Sequence, residues 1–379
     1  MSAADSPAAP GSASVAASDP APRSASATAA AAPGAASGAT PGTASVVASF
    51  TAFADRAIAE LAGGLGDELR AHATGLGDGS HVNAEFAAEI EAAAVAPLRD
   101  LLARPGKRAR PLLAMASAAL HGGDPLRADV VVPPELLHAA SLAWDDLEDD
   151  SDQRRGEPAL HVHYGRDVAT NAGGLLVALA LDRIARAVPA AVGLATATLL
   201  RAHVGQAADL AAHAGRKRRR GMPAYLGCAA LKSGALFEFA IAWGAATAGR
   251  TAEPALLGLA RELAVALQLR DDCLAWTPAG VAGKTSHDDI VEGKLGFPLL
   301  HALAELPPAA ADELAAAIGD PSRADRARHL VGQTGAVERG LALARARITA
   351  AGDACRAAFA GTPRAALLDH LLTAVQSQL

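Results

Sequence analysis

The sequence predicts an all-α fold, a helical bundle, and three observations carry that prediction. Alanine dominates a chain whose hydrophobic fraction is 51%, and alanine is the strongest intrinsic helix former. Apolar residues recur at spacings of three and four, as in Ala54-Ile58-Leu61-Leu65-Leu69, which is the period of one helix face. No window shows the alternation of a half-buried strand, and aromatic residues make up only 3%.

Residues 1–45 are nearly all Ala, Ser, Pro, Gly and Thr, with only Asp5, Asp19 and Arg23 charged. Such a segment lacks the apolar surface to offset its ordering entropy. It is expected to be a disordered tail, passive or docking, followed by a helical domain over 46–379. Helices are then predicted over Pro111–Leu120, Pro134–Asp149, Ala169–Val188, Ala190–Ala212, Pro223–Ala248, Pro254–Ala275 and Phe297–Leu306, with several more from Asp312 onward. Proline at a helix start costs little, because its missing N–H has no partner there. Breaks fall at Arg104-Pro105-Gly106, His121-Gly122-Gly123, Arg155-Gly156-Glu157-Pro158 and Thr277-Pro278.

The 379 residues allow one large helical domain or two smaller ones, and a net charge of -6 gives no reason to expect nucleic-acid binding. Cys228, Cys273 and Cys355 are scattered and odd in number, so neither a disulfide framework nor a metal spacing is read from them, and a reducing cytoplasm is expected. The apolar stretch from Gly173 to Leu200 carries Asp182, Arg183 and Arg186, and the one near Ala229–Gly249 carries Lys232 and Glu238. Charges at such central positions disfavour membrane insertion. The N-terminus has no basic start followed by a compact apolar run.

Four constellations could carry chemistry. In Asp145-Asp146-Leu147-Glu148-Asp149, Asp145 and Asp149 lie one helical turn apart, where like charges repel unless a cation such as Mg²⁺ sits between them. A solvated acidic helix end is the plain alternative. Arg154-Arg155 follow closely and could grip phosphate bidentately or merely neutralise the acids. Gly106-Lys107-Arg108-Ala109-Arg110-Pro111 places cations at a helix start, a plausible anion site or a solvated loop. Gln268-Leu269-Arg270-Asp271-Asp272 is a second acid pair, followed by Lys284, Asp289 and Lys294. The basic run Arg216–Arg220 reads as a solvated loop or a docking patch.

Taken together and in this order, over roughly Leu101–Leu303, these elements resemble the trans-isoprenyl diphosphate synthase (polyprenyl synthetase) family. The resemblance implies an isoprenoid synthase-type bundle around a central cavity. It implies a homodimer and three Mg²⁺ ions. Asp145, Asp149 and Asp271 would be metal ligands, and Asp146 and Lys232 would join them as catalytic residues. Arg154, Lys232, Ser233, Gln268 and Lys284 would contact an allylic diphosphate, with Lys294 beside them. Lys107, Arg110, His138 and Arg155 would hold isopentenyl diphosphate. The implied reaction is a head-to-tail ionisation, condensation and elimination giving an all-trans polyprenyl diphosphate. Family members with short products often carry an aromatic residue four or five positions before the first Asp. Ala140 and Ser141 are small, so geranylgeranyl diphosphate or a longer product is favoured over farnesyl. The alternatives are a class I terpene cyclase and a weakly active partner subunit. The chain departs from the pattern at Ala275, where a third acid is missing, at Gly173-Gly174 in place of Gly-Asp, and at Trp144 in place of a common His. The tail also resembles extensions of enzymes packaged into encapsulin shells, so a shell is a further expected partner.

Overall fold

Helix formation follows the predicted period almost throughout. The structure, a computed structural model, describes residues 43–75, 82–212, 220–277 and 286–376. The expected tail up to residue 42, Lys284, and Arg216–Arg219 of the basic run lie outside the described residues. Helix α1 (Thr43–Thr74) begins three residues inside the segment assigned to the tail and packs its Ile58 and Leu65 face into the core. It is followed by α2 (Ala84–Ile90), a short π-helical turn, α3 (Ala96–Ala103), α4 (Ala109–Leu120), α5 (Ala128–Glu148), α6 (Leu160–Tyr164), α7 (Arg166–Ala187) and α8 (Val192–Ala212). The second half comprises α9 (Met222–Lys232), α10 (Gly234–Thr247), α11 (Pro254–Leu274), α12 (Ser286–Glu292), α13 (Phe297–Glu305), α14 (Pro308–Ala317), α15 (Ala324–Gly332), α16 (Ala336–Phe359) and α17 (Ala365–Gln376).

Helix α10 is the most apolar and sits at the centre, packed on α4, α5, α8 and α11. Its Phe239 and Trp243 are fully buried and stacked. Gly244 lets it approach α4 closely: a Cβ there would lie 2.1 Å from the Ala114 carbonyl oxygen. A smaller cluster around Ile290, Leu299, Leu314 and Leu330 joins α12 to α15. Two stretches, Arg166–Ala187 and Met222–Thr247, have the length and composition to cross a bilayer, and 61% of the second is buried inside the bundle. The three cysteines are buried and unpaired.

Three departures from the expected elements have physical causes. Helix α5 starts six residues before Pro134 and runs through Pro133 and Pro134. Proline removes the N–H that would bond the carbonyl four residues earlier; for Pro133 that carbonyl is Asp129, and the Trp243 indole N–H donates to it at 2.9 Å. The helix expected over Pro223–Ala248 is broken at Ser233, so Lys232 and Ser233 stand at a helix junction. The expected break at Arg155 is a two-stranded hairpin, β1 (Gln153–Arg154) paired with β2 (Glu157–Pro158). Arg155 and Gly156 have φ of 59° and 84°, the left-handed pair that tight hairpin turns require.

Candidate active site

The ends of α5, α8, α9 and α11, with the hairpin and the segment before α13, surround a cavity of about 350 Å³. Asp145, Asp149, Arg154, Arg155, Lys232, Ser233, Gln268, Asp271 and Lys294 all line it. Nine of the residues singled out from sequence thus converge, although α5 and α11 lie more than a hundred positions apart. Asp145 and Asp149 occupy the last turn of α5, where the helix repeat puts both on one face. Lys232 Nζ donates to Asp145 Oδ1 at 2.7 Å and to Asp209 Oδ2 at 2.8 Å. Lys294 Nζ donates to Asp149 Oδ2 at 2.7 Å.

Burial alone would raise the Asp145 carboxyl, but Lys232, Arg154 and Lys294 overcome it and hold it below the ordinary value. The Lys232 ammonium is likewise opposed by burial, yet Asp145 and Asp209 raise its pKa. The pair is therefore fully charged near neutrality. Asp145, Asp149 and Asp271 offer hard oxygen donors around one cavity, and Asp271 keeps 46% of its side chain exposed. That donor set suits a hard divalent cation such as Mg²⁺ or Ca²⁺.

Two of the expected site residues lie outside the cavity lining. Asp146 is 1% exposed and turned away from the cavity. It accepts from Arg154 Nε at 2.7 Å and from a second Arg154 nitrogen, so it is a positioning residue that fixes the arginine at the rim. Lys107 does not join Arg110 and His138; it lines a separate apolar groove of about 570 Å³ between α1, α4 and α17. Gln268 lines the cavity as expected, but its amide donates to Asp272 at 2.7 Å. Asp272 also accepts from the Tyr225 hydroxyl at 2.7 Å and the Phe297 N–H at 3.0 Å. Burial pushes its carboxyl up, and these three donors pull it back. Asp272 thereby ties α11 to α9 and α13 and leaves Asp271 as the acid of that wall with open surface.

Sequence reading missed Gln206, Asp209 and Tyr225, and read Arg220 only as part of a solvated or docking basic run, whereas it lines the cavity. Gln206 Nε2 lies 2.5 Å from Glu148 and 3.4 Å from Asp145, and Arg220 donates to Asp209 at 3.1 Å. The signal was available: Gly205-Gln206 and Asp209 repeat within one turn on the face of α8 that meets α9.

Beside the acids lies a positive corner. Arg110, Arg155, Arg154 and Arg108 all act on His138, and the acid among them, Glu135, is engaged by Arg108 at 2.5 Å. Arg155 lies on Gly106, where a Cβ would come within 2.8 Å of its guanidinium. Arg110 stacks on Phe237 at 4.4 Å. Burial and the Arg155 charge, against the pull of Glu135, bring it down to about 10. Arg110 Nε and His138 Nδ1 are shielded from water and have no hydrogen-bond partner. An unpaired guanidinium N–H and an unpaired imidazole nitrogen beside excess positive charge make a site for an anion.

Burial first, then the four arginines, drives the His138 pKa well below 6.5. The folded chain favours the neutral ring, so the unfolded chain binds more protons. Stability from this group is present above the ordinary imidazole value and lost as pH falls through it. An NMR titration of the free protein is expected to find His138 neutral where free imidazole is half protonated; a midpoint at or above the ordinary value contradicts this corner's charge balance.

Trp144, one departure from the family pattern, packs against Gly173, while Gly174, the glycine that stands in place of the family's Asp, has nothing within 4 Å of where its Cβ would be. A Cβ at Gly173 would lie 2.3 Å from Trp144 Nε1. The indole therefore needs a residue without a Cβ at 173, and it meets His203 at 5.3 Å between ring centroids.

A family model described as polyprenyl synthetase matches residues 91–333. Geranylgeranyl pyrophosphate synthase 11, a chloroplastic protein of Arabidopsis thaliana, is 35% identical over 212 residues, 52% of this chain and 59% of that protein. The chain therefore spans somewhat more than half the length of this curated relative. Geranylgeranyl pyrophosphate synthetase from Pyrococcus horikoshii Ot3 shares the fold with a TM-score of 0.71 at 24% identity, covering 88% of this chain and 98% of that one. Polyprenyl synthase from Caulobacter crescentus CB15, solved in complex with calcium and isoprenyl diphosphate, gives a TM-score of 0.66 at 26% identity over 89% of this chain and 97% of that one.

Proposed function

The chain belongs to the polyprenyl synthetase family, and from that premise we propose that it condenses an allylic diphosphate with isopentenyl diphosphate to give an all-trans polyprenyl diphosphate. The observation that carries this reading is the pairing of a carboxylate-lined cavity with an adjoining, carboxylate-poor positive corner. Two diphosphates need two modes of neutralisation, one through metal and one through arginine. A terpene cyclase handles one diphosphate and has no use for the Arg110–His138–Arg155 corner.

Divalent ions held by Asp145, Asp149 and Asp271 would neutralise the charge that develops on the leaving diphosphate. Lys232 and Arg154, held in place by Asp145, Asp209 and Asp146, orient that diphosphate. Arg110 and Arg155 hold the second substrate with its double bond toward the ionising carbon. The allylic cation is attacked by that double bond, and loss of a proton restores neutrality. The apolar walls beneath Asp145 exclude water, which would quench the cation. The test is purified protein with Mg²⁺, isopentenyl diphosphate and each allylic diphosphate in turn. Longer diphosphates support the reading, hydrocarbons favour a cyclase, and no turnover favours a partner subunit. A geranylgeranyl product is the reading that fits the relative's name best.

Arg155→Ala is expected to raise KM for isopentenyl diphosphate about 10- to 100-fold with little effect on KM for the allylic partner. Equal changes in both would break the two-site assignment.

The homodimer is proposed to form through α8. Its outer face carries Ala197, Leu200, Val204 and Ala208 at helical spacing, with Leu200 69% and Val204 59% exposed. An apolar stripe of this kind suits a second copy of the same helix. Leu200→Glu/Val204→Glu is expected to run as a monomer in light scattering; a dimer that survives both charges refutes it. The tail remains the proposed docking segment for an encapsulin shell. Equal packaging of the full chain and a chain lacking residues 1–42 would sink that proposal.

A further inference from the structure

The last residue of the basic run Arg216–Arg220 lies in the acid-lined cavity. Arg220, two residues before α9, lines that cavity although only 8% of its side chain is exposed. Three contacts aim it there. Its Nη1 donates to Asp209 Oδ1 of α8 at 3.1 Å, and its Nη2 donates to the Ala224 carbonyl at 3.4 Å. Its guanidinium lies 5.7 Å from the centre of the Tyr225 ring, within the range of a cation–π contact. Tyr225 is itself fixed, since its hydroxyl donates to Asp272 of α11 at 2.7 Å. A guanidinium has five N–H donors in one plane, so these partners orient Arg220 without exhausting it.

Asp209 links this arginine to the rest of the site. Its other oxygen, Oδ2, accepts from Lys232 at 2.8 Å, and Lys232 reaches on to Asp145 at 2.7 Å. Charge therefore alternates along Arg220, Asp209, Lys232 and Asp145. A carboxylate with a cation on each oxygen is a support for those cations, which separates Asp209 from the ligand acids Asp145, Asp149 and Asp271. Ala275, where the family pattern has a third acid, faces the same cavity. Its small side chain removes one place for a divalent ion and leaves more of a diphosphate's charge to be met by cations of the chain itself. Lys232 can meet that charge only as a point, whereas a planar guanidinium can span two oxygens.

We infer that Arg220 is a further contact for the diphosphate that binds at the acid pair, set beside Lys232 by their common partner Asp209. This inference rests on the prenyl-transfer reading and adds a residue to its allylic site. Arg220 is tied to α8 and α9 through Asp209 and Tyr225. The second-substrate corner is built on α4 and α5, around Arg110, Glu135 and His138. Loss of Arg220 therefore acts on one substrate and spares the other.

The experiment compares wild type with Arg220→Met, which removes the charge, and Arg220→Lys, which keeps the charge but loses the fork. Arg186→Met removes an equal charge from an exposed position on α7. Each protein is assayed for KM with both substrates, and for binding of inorganic pyrophosphate with Mg²⁺ by calorimetry, which needs no turnover. Arg220→Met is expected to raise KM for the allylic diphosphate and the pyrophosphate Kd about 10- to 50-fold, with KM for isopentenyl diphosphate within about twofold. Arg220→Lys should recover part of both losses, and Arg186→Met should match wild type. Unchanged pyrophosphate binding and KM in Arg220→Met overturn the inference, while elongation by the wild type keeps the transferase reading. A lower kcat and a lower urea midpoint with both KM values unchanged would make Arg220 only a tie between α8 and α9, and this too overturns the inference. A wild type that elongates nothing, yet loses pyrophosphate binding in Arg220→Met, overturns the transfer reading and keeps the anion contact.

Discussion

Asp145→Ala is expected to lower turnover by about a thousandfold or more while the chain stays folded. Asp145 does three things at once. It offers a hard oxygen to a divalent ion, it holds Lys232 at 2.7 Å, and it lies 3.6 Å from Arg154. The first contribution is lost outright. The other two leave Lys232 with Asp209 and Arg154 with Asp146, so both cations keep a partner and the fold cost stays small. Asp146→Ala should behave differently. It strips a buried partner from Arg154, so stability falls along with activity. Steady-state kcat at saturating Mg²⁺ and substrates, read beside urea unfolding, separates the two. Wild-type turnover in Asp145→Ala would remove the first acid pair from the chemistry.

Gly205→Val is expected to cost about 3 kcal/mol of stability and to slow turnover about a hundredfold. A Cβ at Gly205 would stand 2.3 Å from the Lys232 N and 2.7 Å from its Cα. Both are backbone atoms at the end of α9, so no side chain can rotate away. The two helices must separate. Lys232 would leave Asp145 on one side, and Gln206 and Asp209 would shift on the other. An urea midpoint and a kcat equal to wild type would mean that the α8–α9 contact does not set the ammonium's position.

These two sites mark how far the sequence could be read. Asp145 was legible because the helix repeat is local: residues four apart share a face whatever the rest of the chain does. Gly205 was not, because its importance lies in a backbone 27 positions away. The same division runs through the fold. Helix positions followed from alanine content and apolar period to within a residue or two for α8, α11 and α13. The start of α5 was misread because the rule against interior proline is also local, and the indole that satisfies the Asp129 carbonyl comes from α10. The hairpin was read as a break because two-residue strands have no period to detect.

In the site, the identity of the charged groups was legible and their division of labour was not. Asp145, Asp146 and Asp149 are indistinguishable by residue type, as are Asp271 and Asp272. The family resemblance singled out Asp145, Asp149 and Asp271, but it also put Asp146 among the catalytic residues. Packing decides whether that reading holds. Asp146 and Asp272 face inward, where an unpaired carboxylate is costly, so each is surrounded by donors and becomes part of the frame. Asp145, Asp149 and Asp271 face the cavity and keep oxygens for a ligand. Lys107 shows the converse, since a cation next to the right residues in sequence faces another groove.

The sequence by itself determined the helices, the two acid-bearing ends, the arginine pair and the family, because each is written in spacings of a few residues. The tertiary structure decided which carboxylates line the cavity and which are bonded into the frame, and it brought Asp209 to Lys232. Those outcomes depend on which faces of α5, α8, α9 and α10 meet. That is settled by the burial of α10 among its neighbours, and no short spacing records it.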